Sequence, residues 1–299
     1  MAATAWRELL ASLREDCSSG ATALTRRAAE QLTSLVGGTA RPFDQELRAA
    51  LRALATVRPP FGSLFRVADC AAWALASFGD QDAARDCLKS VGERILDELD
   101  EEHRALVKLA AGQTAGRRVL TISASSVVRD VLLAGRPPLV TCLESRPGGE
   151  GLVLARELAA AGLALRVAPD AAAARLVAES DLVLVGGDTL CPRGLIHKLG
   201  THGLLLAARE RGVPTCALLG TLKFLPGPVR GWDDEGSEAD RSAVEPGITR
   251  WTRLFDLTPL ALLSSIVTER GALVGAAAVE DVAAERVHPW LADLLLTTD

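Results

Sequence analysis

After residue 113 the sequence alternates short apolar runs with helical stretches, and this alternation constrains the fold more than any other feature. The runs are rich in Val and Leu and are typical of buried strands: RVLTI (118–122), PLVTCLE (138–144), LALRVA (163–168), DLVLVGG (181–187) and PTCALLG (214–220). Segments between them, such as GLVLARELAAAG, AAAARLVAE and THGLLLAARERG, have helical spacing. Strands that alternate with helices form parallel sheets covered on both faces. The sequence therefore predicts an α/β, Rossmann-like domain over 113–299, with a mostly parallel sheet and right-handed crossovers.

Residues 1–112 have helical periodicity only. Apolar residues recur at helical spacing in AWRELLASLRED, GATALTRRAAEQLTSLV, FDQELRAALRALATV, SLFRVADCAAWALASF and ARDCLKSVGERILDELDEEHRALVKLAAG. Glycine, proline and serine clusters separate these segments, and the last ends at a glycine. We therefore predict a helical N-terminal domain over 1–112.

Two segments near the C-terminus leave alternatives open. The polar stretch PGPVRGWDDEGSEADRSAVEPG (226–247) is predicted to be either a mobile lid beside the site or a disordered insertion. The final RVHPWLADLLLTTD (286–299) is expected to form a helix or strand. It would pack either on a neighbouring subunit or on the core of its own chain.

Charge and apolar patterning exclude several classes of protein. The formal net charge is −5, which argues against a broad basic face for nucleic acid, although a local pocket for a small anion is compatible with it. No apolar run reaches the length of a bilayer, and the amphipathic start MAATAWRELLASLRED does not resemble a signal peptide. We therefore expect a cytoplasmic protein with no direct nucleic-acid or membrane partner.

The spacing of cysteines and histidines predicts no metal site and no disulfide framework. The chain contains six cysteines (Cys17, Cys70, Cys87, Cys142, Cys191 and Cys216) without any C-x-x-C pair, and four histidines at no ligand spacing. The first strand is not followed by G-x-G-x-x-G, and no Walker sequence is present. The sequence therefore indicates neither NAD binding nor ATP hydrolysis. We expect no cofactor.

Polar residues follow the first two predicted strands. The carboxyl ends of parallel strands meet at one edge of a sheet, where ligands bind. The turn from LTISASSVV into a helix contains three serines, Ser123, Ser125 and Ser126. They form either an anion site or helix caps alone. Glu144 and Arg146 stand in CLESRPGGEG, where the arginine fork suits phosphate or lies in a solvated turn.

The fourth and fifth strands supply a carboxylate and two lysines. Asp188 follows Gly187, which permits close approach of a ligand, and is either a general base, a sugar-hydroxyl ligand or a cap. A predicted loop then brings Lys198, and the fifth strand brings Lys223, to the same edge. Gly200 and Thr201 begin the next helix against the expected phosphate. These residues together predict a pocket for a phosphorylated sugar or nucleotide.

Several motifs occur in the order found in one family: LTISASSVV, LESRPGGEG, ESDLVLVGGDTL, GLIHKLGTHGLLLAARERGVPTCALLGTLKF and FDLTPLALLSSIVTERGAL. The chain resembles the family of the regulatory alpha, beta and delta subunits of eukaryotic initiation factor 2B. That family includes ribose-1,5-bisphosphate isomerase and methylthioribose-1-phosphate isomerase. The resemblance extends over residues 117 to about 275, and EDCSSGATALTRRAAEQL and VRPPFGSLFRVAD resemble the helical half. It implies a sugar-phosphate or nucleotide pocket between the two halves, and a dimer or higher oligomer.

The resemblance also assigns roles to residues. Asp188 matches the catalytic aspartate of the isomerases, and Arg146 matches the arginine of their Glu-Thr/Ser-Arg-Pro motif. Lys198, Gly200 and Thr201 match their Asn-Lys-Ile-Gly-Thr segment, with His197 in place of the asparagine. Ser19 and Gly20 fall where the isomerases carry an Arg-Gly-Ala phosphate-binding turn, and the arginine is missing.

One departure from the pattern of the isomerases separates two hypotheses about function. Ser123 stands where the isomerases have their catalytic cysteine, and a serine hydroxyl does not titrate near neutral pH as a thiol does. We therefore favour a regulatory, non-catalytic binding protein, which acts through an oligomer and a protein partner. The alternative is an aldose–ketose phosphate isomerase with Asp188 as acid/base, in which a water, a serine or Cys191 replaces the missing thiol. A purely structural subunit is the third hypothesis.

Overall fold

The computed structural model describes residues 2–16, 19–34, 45–76, 81–233, 248, 251, 253–274, 280 and 284–296. The first part is helical, as predicted. Its helices are α1 (Ala2–Glu15), α2 (Ala21–Ser34), α3 (Gln45–Thr56), α4 (Gly62–Ala76) and the long α5 (Gln81–Thr114). Leu13, Leu24, Leu32, Phe65 and Ile95 are fully buried at their centre, because the helical spacing of apolar residues gives each helix one apolar face.

The second part is an α/β unit in which strands and helices alternate. Its elements are β1 (Arg118–Thr121), α6 (Ser126–Gly135), β2 (Leu139–Leu143), α7 (Glu150–Ala160), β3 (Leu165–Ala168), α8 (Ala173–Val177), β4 (Leu182–Val185), β5 (Thr189–Cys191), β6 (Gly194–Lys198), α9 (Thr201–Arg211), β7 (Thr215–Leu218), β8 (Phe255–Thr258), β9 (Ser265–Thr268) and β10 (Gly271–Leu273). The five predicted strands correspond to β1, β2, β3, β4 and β7.

The main sheet has seven strands in the order β10-β9-β7-β4-β1-β2-β3. All neighbours are parallel except β9 and β10, which pair as an antiparallel hairpin at one edge. The predicted fold class, a helical N-terminal part followed by an α/β part with a mostly parallel sheet, is thus confirmed. β1 and β4 are central, so their carboxyl ends lie at the middle of the ligand-binding edge.

A second, antiparallel sheet of β5, β6 and β8 was not predicted. A loop was expected between Asp188 and Lys198, and this expectation is wrong: the segment forms a hairpin that turns at Pro192 and Arg193. Every residue of β5 and β6 is buried, so the hairpin lacks the alternation of apolar and polar residues that marks a strand with one exposed face. The hairpin carries His197 and Lys198 back to the ligand-binding edge.

The C-terminal segment returns to the helical part of its own chain. Its short helix α10 (Pro289–Ala292) places Leu291 in the core of the helical part, and Leu295 follows it there. Arg52 of α3 forms an ion pair with Asp293 at 2.7 Å. Val229 bridges to Leu295, and residues 227–230 of the predicted lid pack against this segment. Residues 234–247 lie outside the described part of the chain. Among the described helices none has the length and apolar character needed to cross a bilayer.

Candidate functional site

A cleft of about 270 Å³ lies between the helical part and the carboxyl ends of the central strands. Its walls include the starts of α2 and α6, the ends of β4 and β6, and the turn after β7. The described lining residues with polar side chains or glycine are Ser19, Gly20, Thr22, Arg58, Ser123, Ser125, Ser126, Arg129, Glu150, Glu157, Gly187, Asp188, His197, Lys198 and Lys223. Nine of the thirteen residues predicted for the site lie here.

Two helix starts face the cleft from opposite parts of the molecule. Ser19 and Gly20 precede α2 of the helical part, where the Ser19 N–H donates to Asp16 Oδ1 at 2.8 Å. Ser125 caps α6, and its Oγ accepts from Val128 N at 3.5 Å. Free N–H groups and the helix dipole make such starts favourable for anions. The cleft therefore has two places suited to a phosphate or carboxylate.

Both predicted lysines line the cleft, and the chain has only four lysines in all. The Lys198 side chain is 4% exposed, and its Nζ donates to Glu150 Oε1 at 2.7 Å. The Nζ of Lys223 donates to the carbonyl of Gly187 at 2.7 Å. Burial lowers the pKa of Lys223, and the charges of Asp188 and Glu102 oppose that shift. Both lysine side chains therefore line the same cleft as Asp188.

His197 is buried in the wall of the cleft and is neutral. Burial, together with the charges of Lys223 and Lys198, lowers its pKa to about 3. Thr201 Oγ1 donates its proton to Lys198 O at 2.6 Å, so the 3.0 Å contact between Thr201 Oγ1 and His197 Nδ1 assigns the imidazole proton to Nδ1. The unprotonated Nε2 lies beside Gly186, where a Cβ would be 3.4 Å from it. The imidazole is therefore a hydrogen-bond acceptor at this wall.

Two glutamates, Glu150 and Glu157, and two arginines complete the charged lining, and none of them was predicted from the sequence. Glu150 Oε2 is buried and has no hydrogen-bond partner among the described residues. Arg129 pairs with Asp130 at 2.7 Å and with Glu157 at 3.4 Å. Arg58 lies over the ring of Phe61, 5.0 Å from its centroid. One signal could have found Arg129: it stands one helical turn after the cap Ser125, on the same side of α6.

Four predicted residues do not line the cleft. Arg146 Nε donates to Glu144 Oε2 at 2.9 Å, and this pair lies at the surface. The N–H of Gly200 donates to Asp256 Oδ2 at 2.9 Å, so a carboxylate of the chain itself occupies the start of α9. Burial raises the pKa of Asp256 to about 6. The Thr201 hydroxyl donates to the carbonyl of Lys198 in its own chain. The binding roles predicted for Glu144, Arg146, Gly200 and Thr201 stay predictions.

Ser123 lines the cleft at the end of β1 in a left-handed conformation, with φ of 72°. Its N–H donates to Ser145 Oγ at 2.7 Å, which ties the ends of β1 and β2 together. Cys191 lies away from the cleft: it is fully buried, and its Sγ–H donates to Gly194 O at 3.4 Å. Burial also raises the pKa of Cys191, the opposite of an activated thiol. None of the described residues that line the cleft is a cysteine.

Comparisons with known proteins agree with this architecture. The sequence profile of the Initiation factor 2 subunit family, IF-2B, matches residues 17–275. A putative translation initiation factor eIF-2B subunit 2-like protein of Pyrococcus horikoshii is 28% identical over 274 residues, which cover 89% of this chain and 95% of that protein. A ribose 1,5-bisphosphate isomerase of Archaeoglobus fulgidus is 29% identical over 273 residues, which cover 85% of each chain.

Solved structures have the same fold. The crystal structure of the Pyrococcus horikoshii translation initiation factor eIF-2B superposes with a TM-score of 0.77 at 27% identity, covering 93% of this chain and 98% of that one. The tetrameric eIF2B-beta2-delta2 complex from C. thermophilum has a TM-score of 0.70 at 20% identity, over 93% of each chain. The profile match extends over most of the sequence and both parts of the fold, and the chain therefore belongs to the initiation factor 2 subunit family.

Proposed function

We propose that the cleft binds a phosphorylated sugar or nucleotide, and that the chain is a regulatory, non-catalytic member of its family. In this proposal the chain self-associates and acts on a protein partner. The observation that carries it is the lining of the cleft. Two helix starts and the side chains of Lys198, Lys223 and Arg58 surround a space that also contains hydrogen-bond acceptors.

The positive groups suit a phosphate. Helix N-termini bind anions through free N–H groups, and lysine or arginine side chains add full charges. Both lysines are held in place, by Glu150 and by the Gly187 carbonyl, so little side-chain entropy is lost on binding.

The acceptors suit sugar hydroxyls. Asp188 and the unpartnered Glu150 Oε2 are carboxylate oxygens, and His197 Nε2 is an unprotonated nitrogen. A buried acceptor without a donor costs free energy, and a ligand hydroxyl can remove that cost. A ligand with phosphate at one place and hydroxyls at another matches both sets of groups.

The serine at position 123 favours binding without turnover. Isomerisation of a sugar 1-phosphate protonates the ring oxygen as its bond to C1 breaks, moves the C2 hydrogen to C1 and removes the proton of the C2 hydroxyl as the ketone forms. It therefore needs an acid and a base that exchange protons near neutral pH. Asp188 can serve as one of them. Ser123, in the place of the isomerases' cysteine, has a hydroxyl that does not ionise there.

A second candidate is the isomerase activity itself, on ribose 1,5-bisphosphate or a related sugar 1-phosphate. The position of Asp188 favours it, because a carboxylate that lines the cleft can take a proton from a bound sugar and return it. A bound water would then serve as the second proton donor, since Cys191 lies outside the cleft.

An NMR time course with ribose 1,5-bisphosphate separates the two candidates. We expect saturable changes in the ligand signals and no ketose. Lys198→Ala should weaken binding by on the order of thirtyfold, because a charged hydrogen bond contributes about 2 kcal/mol. Lys108→Ala, which removes an exposed lysine on α5, is the matched control and should leave affinity unchanged.

Two outcomes would contradict the proposal. Formation of the ketose by the wild type, lost in Asp188→Asn, would establish the isomerase. The absence of any binding to ribose 1,5-bisphosphate, ribose 5-phosphate and AMP would refute the ligand pocket.

A further inference from the structure

Two buried or partly buried carboxylates clamp the turn that follows β7. Thr221–Lys223 form a single 3-10 turn after Gly220. Glu102, from the helical part, approaches this turn on one side, and Glu269, from the end of β9, approaches it on the other. The function proposed above uses neither residue.

Glu102 contacts mainly the backbone of the turn, and Thr221 Oγ1 lies 3.5 Å from its Oε1. Its Oε1 accepts from Leu222 N at 2.9 Å. Its carboxylate lies flat against Gly220, where a Cβ would be 1.9 Å from Oε2. Any side chain at position 220 would therefore displace Glu102. The close approach of Glu102 explains why a glycine occupies position 220. The Glu102 residue is 9% exposed.

Glu269 binds the first residue of the turn. Thr221 N donates to Glu269 Oε2 at 3.1 Å, and Thr221 Oγ1 donates to Glu269 Oε1 at 2.6 Å. Glu269 has its own counter-charge, because Arg270 Nε lies 3.2 Å from its Oε1. Glu102 has no arginine or lysine ion pair among the described residues, and its charge, after that of Asp188, raises the pKa of Lys223.

The turn ends at Lys223. The Lys223 N–H donates to Gly220 O at 3.1 Å, which closes the turn, and Nζ reaches Gly187 O at 2.7 Å in the cleft. The place of Lys223 therefore depends on the place of Gly220–Leu222. Glu102 fixes that segment from α5, although α5 itself contributes no residue to the cleft lining.

We propose that Glu102 is the positioning residue and counter-charge of Lys223, through which the helical part sets the place and charge of a cleft lysine. The consequence for ligand affinity rests on the function proposed above. The effect on Lys223 itself does not.

The charges around Glu102 and Lys223 determine in which direction the pKa of Lys223 should change when the Glu102 charge is lost. Burial raises the pKa of Glu102 to about 7, with Glu269 and Glu98 adding to the shift and Lys223 opposing it. Lys223 faces Asp188 as well as Glu102, and both carboxylates favour its charged form. Loss of the Glu102 charge should therefore make Lys223 easier to deprotonate, with Asp188 left as its remaining counter-charge.

Titration of lysine signals tests this in the ligand-free protein. The chain has four lysines, so [13Cε]lysine labelling gives four side-chain signals, and Lys223→Arg assigns the one of interest. We expect the titration midpoint of Lys223 to be lower in Glu102→Gln than in the wild type. Glu101→Gln, the exposed neighbour on α5, is the matched control and should leave the midpoint unchanged. Equal midpoints in the wild type and Glu102→Gln would overturn the proposal.

Ligand affinity tests the positioning part. Glu102→Ala removes the acceptor for Leu222 N and should weaken binding of ribose 1,5-bisphosphate by roughly tenfold. Glu102→Gln keeps an acceptor oxygen and should recover part of the loss. Wild-type affinity in Glu102→Ala would refute positioning. A wild type that binds no sugar phosphate would instead refute the function proposed above, while the lysine titration would still decide the role of Glu102.

Discussion

His197 is the buried group whose protonation the fold opposes most clearly. Burial and two neighbouring lysines keep its imidazole neutral, with a pKa of about 3 against an ordinary value of 6.5. In the unfolded chain the same imidazole binds a proton below pH 6.5. Protonation of the unfolded state therefore destabilises the fold as the pH falls from 6.5 towards 3.

We predict that His197→Asn changes the pH dependence of stability. The free energy of unfolding of the wild type should fall relative to that of the variant by about 2 kcal/mol between pH 7 and pH 5, because only the unfolded wild type gains a proton at this position. Urea denaturation of both proteins at the two pH values measures this. An equal difference between the two proteins at pH 7 and pH 5 would contradict a neutral, buried His197.

The sequence predicts those site residues that follow a strand, and it misses those that reach the cleft by other routes. Asp188 and Lys223 could be found because the carboxyl ends of β4 and β7 lie at the ligand-binding edge. Arg58 could not, since it comes from the loop before α4, and only tertiary packing brings that loop to the sheet. Glu144 and Arg146 also follow a strand, β2, and yet they pair with each other at the surface instead of lining the cleft. A position after a strand predicts that a residue lies at the ligand-binding edge, but it does not predict in which direction the side chain points.

At the scale of the element, the parallel strands were predictable and the small antiparallel sheet was not. β1, β2, β4 and β7 are apolar runs of four or five residues, each of which follows a helix, and this pattern is typical of buried parallel strands. β5 and β6 are as apolar, but they are only three and five residues long and follow a glycine pair. A pattern of this length is compatible with a loop, and the pairing of β6 with β8 depends on residues about 60 positions apart.

Two glycines in the first turns of α7 and α9 should respond in opposite ways to a methyl group. In Gly151→Ala the Cβ would lie 1.7 Å from the carbonyl oxygen of Leu143, so α7 must move away from β2, at a cost of about 3 kcal/mol. Gly203 in α9 has no atom within 4 Å of its Cβ position, so Gly203→Ala should stabilise the protein by about 0.5–1 kcal/mol through helix propensity. Thermal and urea denaturation measure both. Similar destabilisation by the two substitutions would contradict the packing of α7 described here.

At the scale of the whole molecule, hydrogen bonds join the helical part to the loop that carries Asp188. The N–H of Gly62, the first residue of α4, donates to Thr189 Oγ1 at 2.7 Å and to Asp188 O at 3.1 Å. Thr189 Oγ1 in turn donates to Pro60 O at 2.8 Å. The backbone beside the cleft carboxylate is therefore fixed by the helical part.

Thr189→Val should destabilise the protein by about 2 kcal/mol, because it leaves the buried Pro60 carbonyl without this donor and weakens the bonding of Gly62 N. Thr121→Val is the matched control. The Thr121 hydroxyl is buried and has no hydrogen-bond partner among the described residues, so the substitution should be neutral or stabilising. Chemical denaturation of the two variants tests the contrast, and equal losses of stability would mean that the bonds between the two parts contribute little.

These same bonds limit how the gene can be recombined. A crossover between related genes placed in the linker after α5 would join residues 58–62 of one parent to residues 186–191 of another. The new protein would then inherit a hydrogen-bonded junction whose halves had not evolved together, at the wall that holds Asp188. Functional hybrids should therefore come from exchanges in which both segments are taken from the same parent.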